Sequence, residues 1–314
     1  THRQGTMATS AMDVTRQQKW RLSTFLDANF KYWSLLPILI FLTVLTLYPV
    51  AQLLRMSVSD LGFAKGKLEW TYVGLDHLET LRADPVVPDA LKNTLLFVVV
   101  VVSVEAMLGL LLAILVSRAR RFAWFYRSVY MLPLLIPPIA IGTVWRLMYD
   151  YNYGIINQIL HEIGLAGPLW TANPDLALVS VMIVDIWHWT SFLFLIMLAG
   201  VESLPYELAE AGRVDGANEV QIYRHIFFPL LRPTIIVALM LRTILAFKVF
   251  DEIFLLTGGG PGTATEVISL YIYKVYFVQS RMGYGALLAL LTAALISVFV
   301  VFYQWLNNYV NRQR

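Results

Sequence analysis

Residues 94–116 read TLLFVVVVVSVEAMLGLLLAILV, with Glu105 as their one charge. A helix rises about 1.5 Å per residue, so a run of this length crosses a hydrocarbon layer of about 30 Å. Lipid offers a bare backbone no hydrogen-bond partner, and a helix lets a single segment satisfy its own N–H and C=O groups. Five further runs have the same character, at 35–54, 129–148, 176–199, 231–255 and 284–306. The expected fold is therefore all-α: a polytopic membrane protein with six transmembrane helices.

The composition agrees. The chain is 58% hydrophobic and only 14% charged, against about 45–50% and 25% for soluble domains. The excess falls in long blocks, which argues against one large soluble core. No cysteine occurs, so a disulfide framework and a thiolate metal site are excluded. A formal net charge of +3 gives no reason to expect nucleic acid as a partner. Residues 1–6 read as an added remnant ahead of Met7. Arg16, Lys19, Arg21 and Lys31 then precede the first apolar run, as in a signal peptide. That run is long and ends at Tyr48-Pro49 rather than at a small-residue cleavage site, so an uncleaved span is expected. The expected organisation is a tail over 1–31 and a six-helix domain over 32–314, with a patterned loop at 201–229.

Lysine and arginine set the expected orientation. Basic residues mark the tail, the loop after the second run (Arg118, Arg120, Arg121, Arg127), the loop after the fourth (Arg213, Arg224) and the C-terminus (Arg312, Arg314). The stretch from Asp150 to Asp175 has none, and Lys65, Lys67 and Arg82 sit among six acids. Positive-inside bias places both termini and the second and fourth loops in the cytoplasm, consistent with an even number of spans. Trp33, Tyr48, Tyr149, Tyr151, Trp170, Tyr284 and Trp305 fall near span ends and read as interfacial anchors. Pro133, Pro137 and Pro138 interrupt the third run, either lining a path or only bending a helix.

The loop at 201–229 is the most patterned part of the chain. Glu207, Ala211 and Val214 recur at helical spacing. Asp215-Gly216 signals a turn with positive φ. Residues 217–228 suit a second short helix that Pro229 would stop at the start of the fifth span. Asp215 is a candidate cap for that second helix. The expected element is a helix-turn-helix on the membrane face, whose small residues let another protein approach closely. Glu210-Ala211, Gly216, Ile226 and Pro229 resemble the cytoplasmic loop motif of bacterial ABC importer permeases. Gly212 stands where a second alanine is usual, and Phe228 where leucine is usual. With Lys92-Asn93-Thr94, Ala199-Gly200, Phe250-Asp251 and Thr257-Gly-Gly-Gly-Pro261-Gly262, the likeness runs from about Tyr32 to the end. It is to the carbohydrate-uptake branch similar to the larger membrane subunit of maltose-type importers.

The resemblance implies a type I ABC importer permease fold in the bacterial inner membrane. It implies a second homologous permease subunit, a dimer of cytoplasmic ABC ATPases, and a periplasmic solute-binding protein as partners. Glu207, Glu210, Ala211, Gly212, Asp215, Gly216, Ala217, Ile226 and Pro229 would form the coupling element, with Glu210 meeting a basic group of the ATPase. ATP and magnesium would be bound by that partner. This chain has no Gly-x-x-x-x-Gly-Lys-Ser/Thr loop, and Gly258–Gly262 lacks the lysine.

Intramembrane polar residues mark a site or a packing contact. Asp185, His188 and Phe192 share one helical face beside Trp187 and Trp189. Aromatic faces and hydroxyl-bonding groups suit a carbohydrate, while Asp185 and His188 can equally bond neighbouring helices. Arg242 precedes Lys248, Asp251 and Glu252. It can bind a phosphate or sulfonate or pair with Asp185 or Glu105, and pairing is favoured because a lone buried cation is costly. By resemblance, Asp185, His188, Trp189, Phe192 and Arg242 occupy solute-facing positions. Ala246 and Val249 do too, where the relative has polar side chains. The solute expected is a sugar or sugar derivative; glycerol phosphate, a polyol and a sulfonated sugar remain open. Tyr271, Tyr273 and Tyr276 read as interfacial anchors or as the periplasmic mouth. An ion-driven secondary transporter is a poorer fit, because it leaves the patterned loop unexplained and no internal repeat is evident. An intramembrane enzyme is poorer still, because no catalytic constellation is visible.

Overall fold

The computed structural model describes residues 30–64, 67–119 and 121–312. Residues 1–29, with Arg16, Lys19 and Arg21, and Lys65, Arg120 and Arg314 lie outside them. The chain divides into two compact units, Thr1–Arg55 and Met56–Arg314. Helix α1 (Phe30–Ser57) carries the first apolar run and holds Pro37 and Pro49 within it.

The second unit opens with an antiparallel hairpin, β1 (Ser59–Ala64) and β2 (Lys67–Tyr72), in which Ser59 faces Tyr72. Helix α2 (Asp76–Ala83) leads into α3 (Val86–Arg118). Then come α4 (Ala123–Met131), a short 3₁₀ turn (Leu132–Leu135), α5 (Pro138–Met148), α6 (Ile155–Glu162) and α7 (Pro174–Glu202). Helices α8 (Tyr206–Val214) and α9 (Glu219–Ile222) follow, then a π turn (Tyr223–Phe227) and α10 (Phe228–Ala246). The chain closes with α11 (Asp251–Leu256), α12 (Ile268–Tyr273), a π turn (Lys274–Val278) and α13 (Met282–Arg312). Among the described residues five helices are long and apolar enough to cross a membrane, and six if α4 and α5 make one span.

Three departures from the sequence reading have local causes. The third run is not one helix: α4 and α5 are bent by 92° at their break. A proline pushes the residue before it out of the helical region. Ile136 (ψ 127°) and Pro137 (ψ 138°) each precede a proline, and both are extended. The fifth run also breaks, with α10 ending at Ala246 and α11 restarting at Asp251, which leaves Lys248 in the break and sets Asp251 and Glu252 in the first turn of α11. Conversely, Pro229 stops nothing. The Phe228 N–H bonds back to the Tyr223 carbonyl, five residues earlier. That wide turn absorbs the proline, so Glu219–Ala246 runs as one helical path.

The interior is packed around α3 and α7. Ala113 and Val116 of α3 meet Leu193, Phe194 and Met197 of α7 in one apolar cluster. Gly109 makes the approach possible, since a Cβ there would lie 2.9 Å from the Phe194 backbone nitrogen. Close backbone contact at a small residue is a usual way for helices to associate without a hydrophobic driving force.

Several aromatic residues expected at the lipid interface are instead interior. Tyr149 is buried, stacks on Trp170 at 5.1 Å between centroids and donates its hydroxyl to the Ser180 carbonyl at 3.1 Å. Trp170 donates Nε1–H to Asn157 Oδ1 at 2.8 Å. Tyr271 and Tyr284 are buried and both donate to Asp84, Tyr284 at 2.7 Å. A buried phenol keeps a partner for its polar tip, and these do. Tyr151 and Trp305 remain exposed.

Burial opposes ionisation of Asp84, but the hydrogen bonds from Tyr271, Tyr284 and the Val86 N–H hold its carboxyl below the ordinary value. A carboxylate depressed in the folded state stabilises above its unfolded pKa and loses that contribution as pH falls through the folded one. The thermal midpoint of the wild type should therefore fall more steeply than that of Asp84→Asn between about pH 5 and pH 3; parallel curves would contradict the assignment. Gly109→Val should destabilise by about 1–3 kcal/mol through overpacking, read as a lowered melting midpoint in detergent.

Candidate functional site

Three helices bring their intramembrane charges to one place. Arg242 of α10 donates Nε to Glu105 Oε2 at 2.6 Å and Nη2 to Glu105 Oε1 at 2.9 Å, a two-point clasp on α3. The same Nη2 donates to Asp185 Oδ2 on α7. Arg242 and Asp185 are 1% exposed and Glu105 0%, so the three ions share a site nearly free of solvent. The guanidinium also lies over the Trp189 ring, 4.9 Å from its centroid. Beside this cluster, His188 Nδ1 stands 3.3 Å from Glu252 Oε1.

A cavity of about 290 Å³ opens against these groups, lined by Asp185, Trp189, Arg242, Lys248, Val249 and Glu252 among others. Asp185 Oδ1 is buried and has no hydrogen-bond partner among the described residues. Of the residues singled out in the sequence, Asp185, Trp189, Arg242 and Val249 reach this cavity. His188 sits behind it on Glu252. Phe192 packs edge-on to Trp189 at 5.9 Å and is not part of the wall. Ala246 is fully buried in the apolar core and does not line it either. Lys248 and Glu252 were legible as charges following Arg242, Asp251 also as part of the Phe250-Asp251 pair, and all three line the cavity where the chain breaks after α10. Glu105 was legible as the one charge in its run.

The loop at 201–229 folds as a second site. Helix α8 ends in a Schellman motif: Gly216 N–H bonds to Arg213 O at 3.0 Å and Ala217 N–H to Gly212 O at 2.9 Å. Gly216 takes φ +85°, a conformation glycine adopts without strain. Asp215 is the last residue of that turn and caps no second helix. Asn218 does, in a reciprocal capping box with Gln221. Glu207, Glu210, Ala211 and Val214 form an exposed face, with Val214 88% exposed. Gly212 points the other way. It is buried, and a Cβ there would sit 3.0 Å from Ile226 Cδ1. Gly212 and Ile226 therefore join the two halves of the loop to each other rather than to a partner, because helical periodicity sets position 212 on the inner face with Ala209. Ala217 and Pro229 are half-buried at the loop's ends.

At the other end of α3, Asn93 Nδ2 donates to the carbonyls of Thr263 and Glu266 at 2.8 and 3.0 Å. Thr94 Oγ1 accepts the Ile268 N–H at 2.9 Å. These bonds clamp the glycine-rich turn at 257–266. Lys274 Nζ adds bonds to Gly258 O at 2.9 Å and Glu266 Oε2 at 2.6 Å.

A bundle of broken and continuous apolar helices with a buried polar cavity and a structured helix-turn-helix defines a membrane-embedded transport subunit. Residues 105–312 match the family described as the binding-protein-dependent transport system inner membrane component. The trehalose/maltose transport system permease protein MalF of Thermococcus litoralis is 35% identical, over 93% of this chain and 96% of its own length. The sulfoquinovosyl glycerol transport system permease protein SmoG of Agrobacterium fabrum is 33% identical, over 90% and 92%. Among solved structures, a chain of a bacterial alginate ABC transporter in complex with an alginate pentasaccharide-bound periplasmic protein is similar, with TM-score 0.77 and 25% identity, over 90% of this chain and 96% of that one. The chain belongs to the family of inner-membrane permease components of binding-protein-dependent ABC transport systems.

Removing one member of a buried ion cluster strands the others. Arg242→Leu should destabilise the protein by about 3–5 kcal/mol, and replacing Glu105 and Asp185 by leucine in the same chain should recover much of that loss. Thermal unfolding in one detergent compares the variants. A single variant as stable as the wild type would contradict the pairing.

Proposed function

We propose that this chain forms half of the translocation pathway of an ATP-driven importer for a carbohydrate or sugar derivative. A second, homologous permease subunit completes the pathway. A periplasmic binding protein delivers the solute, and two cytoplasmic ATPase subunits, which bind ATP and magnesium, drive the cycle. Both termini and the loop at 201–229 face the cytoplasm, as the arginine distribution favours. The relatives' named solutes, trehalose, maltose and sulfoquinovosyl glycerol, support the solute class.

The observation that carries this reading is the exposed face of α8. Glu207, Glu210, Ala211 and Val214 stand on a rigid element held by a Schellman turn and a capping box, and Val214 is an apolar side chain left in the open. The turn and the cap tie the C-terminal end of α8 to the start of α9, so the two helices move as a unit. Closure of the ATPases on ATP pushes it and tilts the spans it joins, shifting a two-state bundle toward the state open to the periplasm. The solute then meets the cavity beside Asp185 and Trp189. That cavity favours an uncharged polyhydroxyl solute, of the kind named for the trehalose/maltose relative, over a phosphate or a sulfonated sugar of the kind named for the sulfoquinovosyl glycerol relative. Its buried cation, Arg242, is already matched by two carboxylates, and Asp251 and Glu252 outweigh Lys248.

The test is ATPase activity of the assembled complex in lipid, with and without loaded binding protein. The wild type should be stimulated. Glu210→Ala and Gly216→Pro should lose that stimulation while the spans stay folded. Failure of any ATPase to co-purify, or transport that persists with the loop broken, would point to a secondary transporter instead.

A further inference from the structure

We propose that Arg118, Glu219 and Tyr223 form a latch that hands the movement of the coupling loop to α3. This rests on the function proposed above and assigns the route by which the loop reaches the buried charges. Arg118 is the last residue of α3. Its Nη2 donates to Glu219 Oε2 at 2.6 Å and its Nε to the Tyr223 hydroxyl at 3.0 Å. Its guanidinium carbon lies 4.5 Å from the centroid of the Tyr223 ring. Glu219 is shared, because its other oxygen accepts Arg213 Nε at 3.0 Å. One carboxylate thus joins the end of α3 to the last turn of α8 and to the first turn of α9.

The geometry around the latch gives it its significance. A crevice of about 570 Å³ lies there, lined by Ser117, Val201, Leu204, Ala209, Ile222 and Phe227 together with the latch residues. Apolar packing between the loop and the end of α3 is therefore incomplete, and the polar ties cross the gap. A fork of Arg118 onto a carboxylate and a phenol, with the ring beneath, fixes direction as well as distance. From Arg118, α3 continues unbroken to Glu105, 13 residues away, about 20 Å at 1.5 Å per residue. Glu105 holds Arg242 in its two-point clasp. A push on α8 is thereby carried along one rigid helix to the ions beside the cavity. The physical warrant is a chain of direct contacts rather than mere proximity. Both latch partners are about half exposed, so the tie adds little to stability and its removal leaves the fold standing.

A double-mutant cycle tests this in the assembled importer in lipid: Arg118→Gln, Glu219→Gln and the pair, with assembly checked by size-exclusion chromatography. The readout is the ratio of binding-protein-stimulated to unstimulated ATPase. Each single change should lower that ratio on the order of fivefold or more, and the double variant should be no worse than either single one. Singles that keep the wild-type ratio overturn the latch. So do singles whose losses multiply in the double variant, which would mean two independent roles. A wild type without binding-protein stimulation overturns the latch together with the function it rests on, whereas normal wild-type coupling with indifferent variants overturns the latch alone.

Discussion

Arg242 sits in the interior of a membrane bundle with its guanidinium divided between two carboxylates on two other helices. Taking such ions out of water is costly, and the attraction among them offsets the cost only when the geometry is good and most hydrogen-bonding positions are filled. The two-point clasp on Glu105, the contact with Asp185 and the Trp189 face meet most of that condition. They also fix the register of α3, α7 and α10 against one another, because sliding any one helix by a turn would strand a charge. Apolar side chains alone would not specify this, since lipid tails are as apolar as leucine. Gly109 then lets α3 and α7 close to contact around the register so fixed.

The same site shows where the physics leaves room for function. Among the described residues, Asp185 Oδ1 is buried without a hydrogen-bond partner. A carboxylate oxygen can only accept, so the group it suits is a donor such as a hydroxyl. Trp189 contributes an aromatic side chain to the wall of the same cavity. A hydroxyl and an adjoining C–H surface are the two features a carbohydrate presents together. The excess of carboxylate around the cavity works against an added anion.

Much of this was legible in the sequence, and the exceptions share a cause. Apolar runs located α1, α3, α7 and α13, because backbone satisfaction in lipid leaves a long apolar segment few other choices. The charges at Glu105, Asp185 and Arg242 stood out for the same reason. The failures came where a local backbone rule overrode the run. Pro137 and Pro138 forced extended residues at 136 and 137, and the third run became two helices at 92°. Pro229 looked like a stop and was passed by a π turn, which no period of 3.6 announces. Tyr149, Tyr271 and Tyr284 looked like interfacial anchors because they lie near span ends. Whether a tyrosine there faces lipid or finds Ser180 or Asp84 is decided by tertiary packing.

The loop at 201–229 joins both lessons. Its pattern placed the first helix and the glycine turn, but the second helix runs on past Pro229 into α10, and the motif did not distinguish the residues that face outward from those that hold the loop together. Periodicity does: Glu207, Glu210, Ala211 and Val214 lie outside, while Ala209 is buried and Gly212 lies inside against Ile222 and Ile226. A glycine at 212 therefore sets how closely α8 lies on the path into α10, and this holds whatever docks on the other side. Rigidity within the loop and an incompletely packed crevice behind it are complementary: across that gap the loop is held to the end of α3 by the polar ties of Glu219 to Arg118 and Arg213 rather than by apolar packing, so those ties are the contacts through which a displacement of α8 would reach α3.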